Sequence, residues 1–324
     1  MMQINNTYAK VGGHVTLLFS IQSDAEDIDS EGSRGAGICI SKGVKVKTTA
    51  TKGNGKISII SKENNLSSKL YQLVIELLTK KYDEVSEYDW IFTIKSDLPF
   101  GQGFGCSASG AIGAIICVLK LINKTENIFQ NTITIAHRVE RMMSSGLGDV
   151  VALAAGGIEL RLEPGLPFPP NKGQILGLEE DFPILLCWVK NEVKHTSEYI
   201  NDEKWKKKIS MAGESCVSKL NKKMDEKDFW DELLKQAKKF SEKSGMLNDS
   251  NRNKIINIIE TTLQEEKIDS YWDVRLCMLG SSAIILPKDL NSYNKSELAK
   301  VLKKLKALNL DGCITNVDSK PIRV

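Results

Sequence analysis

Neither positive nor negative charge is in large excess in this chain. Its 44 lysines and arginines stand against 41 aspartates and glutamates, a net charge of only +3. That balance gives no support to a broad polybasic surface, so neither nucleic acid nor membrane is expected as a partner. The charge is not hidden in one part either: residues 1 to 165 carry 17 basic and 17 acidic side chains, the remainder 27 and 24. Long apolar runs are missing too. The most apolar segment, AIGAIICVLKLI, spans about twelve residues with a lysine inside, too short to cross a bilayer. The N-terminus, MMQINNTYAKVGGHVTLLF, has no positively charged leader ahead of a long apolar stretch, and no export signal is expected. The seven cysteines (Cys39, Cys106, Cys117, Cys187, Cys216, Cys277 and Cys313) are scattered, odd in number and never form C-x-x-C. Neither a zinc site nor a disulfide framework follows, and a reducing cytoplasm fits best.

What is present is ordinary globular composition, 41% hydrophobic and 26% charged, in 324 residues, enough for about two domains. Val15 to Phe19 form a β-prone run, followed by an acidic stretch, SDAEDIDSEGSRGAG, that has the character of an exposed loop ending in glycines. ICISKGVKVKTTA, KISIIS and WIFTIKS are further strand candidates. Leu70, Leu73, Val74, Leu77 and Leu78 recur at helical spacing. A Gly-rich loop then leads into a helix rich in Ala, Gly and Ile that should be buried. A second helix, TITIAHRVERMM, a polar turn and the strand IELRLE follow. Four of the eight prolines cluster in PGLPFPPNKG, which marks the domain boundary. Beyond it come the strand FPILLCWV, helices at about 203 to 223, 227 to 243 and 251 to 266, and a strand-loop-helix-strand ending. The fold class is therefore α+β in two units.

The most informative segment is PFGQGFGCSASG, from Pro99 to Gly110. Gly101, Gly103 and Gly105 let the backbone approach a ligand, and the helix that follows offers unpaired N–H groups and the positive end of its dipole. That combination favours a polyphosphate. A Walker A loop is excluded because no G-K-[ST] is present. Gly103, Gly105 and Ala108 formally match a dinucleotide fingerprint, but a Pro-containing turn separates the strand from the glycines and Glu126 lies in a polar loop. A ligand-free cluster of helix-packing glycines also accounts for the pattern.

Forty residues on, His137, Arg138, Glu140 and Arg141 share one helix, followed by the turn Gly146-Leu147-Gly148-Asp149. His137 and Arg141 lie on one face. A carboxylate aimed at a phosphate loop would be repelled unless a divalent cation lay between, and Mg2+ suits oxygen ligands and phosphates. Asp149 has the chemistry to accept or orient the proton of an attacking hydroxyl. An exposed helix with ordinary charge alternation and a capping aspartate explains each of these residues taken singly.

Together the segments resemble the GHMP kinases, the family of galactokinase, homoserine kinase, mevalonate kinase and phosphomevalonate kinase. The family motif P-x-x-x-G-L-G-S-S-A corresponds to Pro99 through Ala108, with Phe104 in place of Leu and Cys106 in place of the first Ser. The resemblance implies a two-domain fold: an N-terminal ATP-binding α+β domain over residues 1–168 and a C-terminal ferredoxin-like α+β domain over 169–324. It also implies ATP held by Pro99, Gly101, Gly103, Gly105, Cys106, Ser107, Ala108 and Ser109, with Gly280 and Ser281 from a later Gly-rich motif. Mg2+ would be bound by Ser107 and Glu140, and Asp149 would be catalytic. Gly12 stands where the family has Pro, and His14 where galactokinase and mevalonate kinase place Lys or Arg. His14 can stabilise developing charge there only when protonated. Asp149 then either takes the proton or positions the hydroxyl and leaves proton acceptance to the phosphates.

Within this family the chain is most similar to the archaeal pantoate kinases, through AKVGGHVTLLF, EGSRGAG, AHRVE, GLGDVVALAAGG and IELRLEPGLP. That similarity implies phosphorylation of pantoate by ATP to 4-phosphopantoate, toward coenzyme A. Arg161 is the first candidate for the substrate carboxylate, since a guanidinium binds one through two parallel N–H bonds. His137, Ser33 and Arg34 would assist it. A homodimer is common in the family. Two alternatives stay open: a GHMP kinase for mevalonate, homoserine or another small hydroxy acid or alcohol, and a non-catalytic member that binds ATP or a metabolite. The Lys204 to Lys208 run is diluted by Asp202, Glu203 and Glu214, and Trp205, Ile209 and Ala212 fall at the spacing of a buried helical stripe.

Overall fold

The computed structural model describes residues 5–63, 65–190, 192, 197–223 and 226–324. Its frame is a pair of very long antiparallel strands, β1 (Asn5–Gln22) and β2 (Gly32–Lys52), paired from Asn5 with Ala50 to Gln22 with Gly32. Alternating buried residues such as Val11, Val44 and Val46 give these strands their core side. The pairing shifts register between Gly12 and Gly13. Gly12 is thus part of a strand, where a Cβ would meet the Ile40 carbonyl oxygen at 2.4 Å.

The acidic stretch after β1 corrects one sequence expectation. Only residues 23–31 form the connection, with a short 3-10 turn at Ile28–Ser30. The glycine-rich 32–37 segment begins β2 and is mostly buried. Glycine is a poor strand former in isolation, but here its missing side chain leaves room for charged groups that cross the sheet.

β3 (Ile57–Ser61), β4 (Tyr88–Ser96), β2, β5 (Ile158–Glu163) and β6 (Gln174–Leu178) continue the first sheet in that order. Four helices belong to this unit among the described residues. In α1 (Ser68–Lys81), Leu70, Leu73, Val74 and Leu78 are buried as their spacing predicts. α2 (Cys106–Leu121) is buried along nearly its whole length against β1 and β2, and α3 (Ile128–Met142) packs on α2. A short helix, α4 (Asp149–Ala155), precedes β5.

The second sheet holds β7 (Pro183–Val189), β8 (Trp272–Cys277), β9 (Ser282–Pro287) and β10 (Leu310–Asn316) in the order β10-β7-β9-β8, every pair antiparallel. Helices α5 (Ser197–Ile200), α6 (Glu203–Asn221), α7 (Phe229–Lys243) and α8 (Ser250–Glu265) connect β7 to β8, and α9 (Ser296–Ala307) connects β9 to β10. This is a β-α-β-β-α-β unit of ferredoxin-like order with extra helices in its first crossover. Because β6 pairs with β5, the chain passes between sheets at 179–182, after the proline cluster. α6 buries Ile209 and Ala212 and lies along β1. Among the described residues no helix is long and apolar enough to cross a membrane.

Candidate active site

A cleft opens where β1, the loop before α2, the turn between α3 and α4, and the β8–β9 turn meet. Gly101, Gly103 and Gly105 have φ of +76°, +77° and +64°, a left-handed backbone that glycine adopts without strain. A Cβ on Gly103 would lie 2.6 Å from the Met278 carbonyl oxygen, so the loop also needs glycine to sit against the β8–β9 turn. The His14 N–H donates to the Phe104 carbonyl at 3.0 Å and locks the loop to β1. α2 makes its first intrahelical bond from Ser109 N–H to Gly105 O. The N–H groups of Cys106, Ser107 and Ala108 therefore have no acceptor within the helix, a ready anion site.

The side chains of this motif divide sharply. Ser107 lines the cleft. The Cys106 thiol instead lies against the Leu98 and Pro99 carbonyls, and burial pushes it up to about 12, so only its backbone is available. The Ser109 hydroxyl donates to the Gly12 and Gly105 carbonyls rather than to the cleft. In the later motif Met278 and Leu279 line the cleft, whereas Gly280 packs on Gln102 and the Ser281 hydroxyl is buried with no hydrogen-bond partner among the described residues. Arg252 fixes this turn by donating to the carbonyls of Leu279 at 2.5 Å and Gly280 at 2.9 Å.

Across the cleft from α2 stand Glu140 and Asp149. Glu140 is buried and its Oε1 has no partner among the described residues. Burial first, and the Asp149 charge second, push its carboxyl up to about 8. Asp149 is a quarter exposed. An orphaned carboxylate oxygen beside a second acidic group suits a hard divalent cation delivered with phosphates.

Behind Asp149 runs a buried chain of charge. His14 Nδ1 is 2.6 Å from Asp149 Oδ1, and His14 Nε2 is 3.0 Å from Glu159 Oε1. The same Glu159 oxygen accepts from Arg161 Nη1 at 2.6 Å. A carboxylate oxygen on each side requires both ring nitrogens to donate, which makes the ring an imidazolium. Burial alone would depress the His14 pKa, but its hydrogen bonds and charge attraction to Asp149 and Glu159 outweigh that and raise it. Arg161 is 1% exposed, and its Nε and Nη2 have no partner among the described residues. They lie behind Gly148, which with Ser33 lines the cleft: a Cβ on Gly148 would sit 2.7 Å from Arg161 Nε and 2.5 Å from Ser33 Oγ.

Of the four expected substrate contacts, the structure thus brings Ser33 and Arg161 together. Arg34 turns away, donating to the Leu162 carbonyl at 2.6 Å and pairing with Glu214 on α6. His137 is buried with Nε2 3.0 Å from the Ile28 carbonyl, beside the Arg138–Asp29 pair. Glu159 is the member that sequence reasoning missed. The available signal was Glu159 and Arg161 two apart in the strand IELRLE, hence on one face with opposite charge.

Residues 68–157 match the model of the GHMP kinases N terminal domain. The chain is 34% identical to the pantoate kinase of Methanocaldococcus jannaschii, over 76% of this chain and 83% of the relative. It is 26% identical to the pantoate kinase of Methanospirillum hungatei over 89% of each. A solved structure described as a phosphotransferase related to CoA biosynthesis pathway shares the fold, with a TM-score of 0.76, 23% identity and 98% of both chains covered.

Proposed function

Starting from the fact that this chain belongs to the pantoate kinase family, within the GHMP kinases, we propose how its residues carry out the ATP-dependent phosphorylation of pantoate to 4-phosphopantoate. The observation that carries the reading is Arg161, a buried guanidinium with two donors unpartnered among the described residues, set directly behind Gly148 of the cleft lining. A planar carboxylate satisfies both donors at once, and pantoate carries one. Ser33 supports the same end of the acceptor. Arg34 and His137 act at one remove, holding the 28–34 segment that presents Ser33.

At the other end the glycine loop and the free N–H groups of Cys106, Ser107 and Ala108 cradle the phosphates of ATP. Glu140 and Ser107 would hold Mg2+, which when bound neutralises phosphate charge during transfer. Asp149 accepts the proton of the primary hydroxyl or orients that hydroxyl toward the γ-phosphate. His14 supplies the fixed positive charge that Lys or Arg supplies elsewhere in the family. Phosphoryl transfer relies chiefly on such positioning and charge neutralisation. The cytoplasm suits a chain whose seven cysteines are all free thiols.

NMR of the product formed from ATP and D-pantoate tests this reading. The expected product is a phosphomonoester at the primary hydroxyl. Transfer to the secondary hydroxyl, or ATP hydrolysis without ester, would contradict the arrangement.

A further inference from the structure

We propose that Glu159 is a positioning residue for phosphoryl transfer: it holds His14 as an imidazolium against Asp149 and, through the same oxygen, turns Arg161 so that its free edge faces the acceptor. This rests on the roles given above to Asp149 and Arg161. Glu159 is fully buried, and its Oε1 lies 3.0 Å from His14 Nε2 and 2.6 Å from Arg161 Nη1. One carboxylate therefore joins the group beside the reacting hydroxyl to the group at the carboxylate end.

The surrounding sheet is built to admit this junction. Gly37 on β2 faces it, and a Cβ there would lie 2.4 Å from His14 Nε2 and 2.8 Å from Glu159 Oε1. A Cβ on Gly35 would lie 2.7 Å from Arg161 Nη2. Two glycines on one face of β2 thus leave the space that the charged groups fill. Removing either carboxylate would leave His14 with one anionic neighbour in a site where burial works against its charge.

The groups that set the state of the ring come from every neighbouring element. Asp149 stands at the start of α4, Glu159 and Arg161 on β5, Cys39 opposite His14 on β2, and Cys106 at the start of α2. Burial raises both thiols, which stay neutral through the physiological range. The two carboxylates and the guanidinium therefore decide the charge on His14. His14 serves in place of a lysine because Glu159 supplies the second anion that an imidazole needs.

The test is 15N NMR of the histidine ring nitrogens in the full-length wild-type protein without ATP or pantoate, alongside Glu159→Gln. The chain has only three histidines, so the His14 signals can be assigned. We expect both His14 nitrogens to be protonated at pH 7.5 in the wild type and only one in Glu159→Gln. The alkaline limb of the kcat profile should move about one to three pH units toward acid in that variant, the effect of losing one adjacent opposite charge. A neutral His14 ring in the wild type at pH 7.5 overturns the proposal, as does an unmoved alkaline limb in folded Glu159→Gln. Should the variant fail to fold, the wild-type spectrum alone decides. The ring spectrum is recorded without substrates, so a wrong acceptor would leave it intact, whereas a neutral ring defeats this assignment whatever the acceptor.

Discussion

Glu140→Gln should stabilise the ligand-free protein, and increasingly so as pH rises. In the folded chain burial and the Asp149 charge hold the Glu140 carboxyl at about 8, against an ordinary 4.5. Between those values the folded protein keeps a proton that the unfolded chain releases, so stability falls as pH rises through the interval. At about 1.36 kcal/mol per pH unit the whole interval is worth roughly 3 to 5 kcal/mol. Glutamine keeps the shape of the side chain and does not ionise. The stability difference between variant and wild type should therefore grow by that amount from pH 5 to pH 8.5. Urea denaturation at several pH values, without nucleotide or magnesium, measures it. With Mg-ATP added the order should reverse, because only the wild type gains a cation ligand. A difference independent of pH would refute the reasoning, since it would show that Glu140 is not held neutral in the cleft.

Three further outcomes follow from the same geometry. Arg161→Lys keeps a charge for Glu159 but loses the planar fork, and should raise KM for pantoate roughly 10- to 100-fold, the loss of one to two kcal/mol or more of charged hydrogen bonding, with KM for ATP within about twofold; steady-state kinetics with each substrate varied checks it. Asp149→Asn keeps shape and removes proton acceptance, so kcat should fall about 10²- to 10⁴-fold; a fall below about fivefold in single-turnover experiments would remove Asp149 from the base role. Gly148→Ala would place a methyl group 2.5 Å from Ser33 Oγ and 2.7 Å from Arg161 Nε, and should weaken pantoate binding about tenfold or more by calorimetry while the circular dichroism spectrum is unchanged.

Much of the fold was legible because it is written in short-range patterns. The α1 stripe was visible as periodicity and the buried α2 as apolar composition. So was the glycine loop, whose three positive-φ positions are those that the motif singles out. The passage between sheets was harder. The proline cluster marks a turn, but whether the next strand joins the old sheet or a new one depends on β5 pairing with β6, which no local pattern records. The 32–37 segment misled for a related reason. Its polarity and glycines suit a loop, and only the long-range approach of His14, Glu159 and Arg161 explains why a strand there needs them.

The candidate site shows the same division. Ser107, Glu140, Asp149, Ser33 and Arg161 come together from segments that sequence reasoning had singled out. Ser109, Arg34 and His137 belong to those segments too, yet their polar atoms are satisfied elsewhere. A motif locates a stretch of backbone, while the partner of each side chain is decided by elements far along the chain. Glu159 escaped notice because a buried acid in a strand becomes intelligible only once its two cationic partners are seen.

The most direct measurement is ATP consumption by the purified protein with D-pantoate, mevalonate and homoserine at equal concentrations, in the presence of Mg2+. All three carry a carboxylate for Arg161, so selection rests on the fit of the rest of the acceptor, and pantoate should be turned over with a kcat/KM roughly 10- to 200-fold above either competitor. Equal turnover of the three, or preference for mevalonate or homoserine, would contradict pantoate as the acceptor.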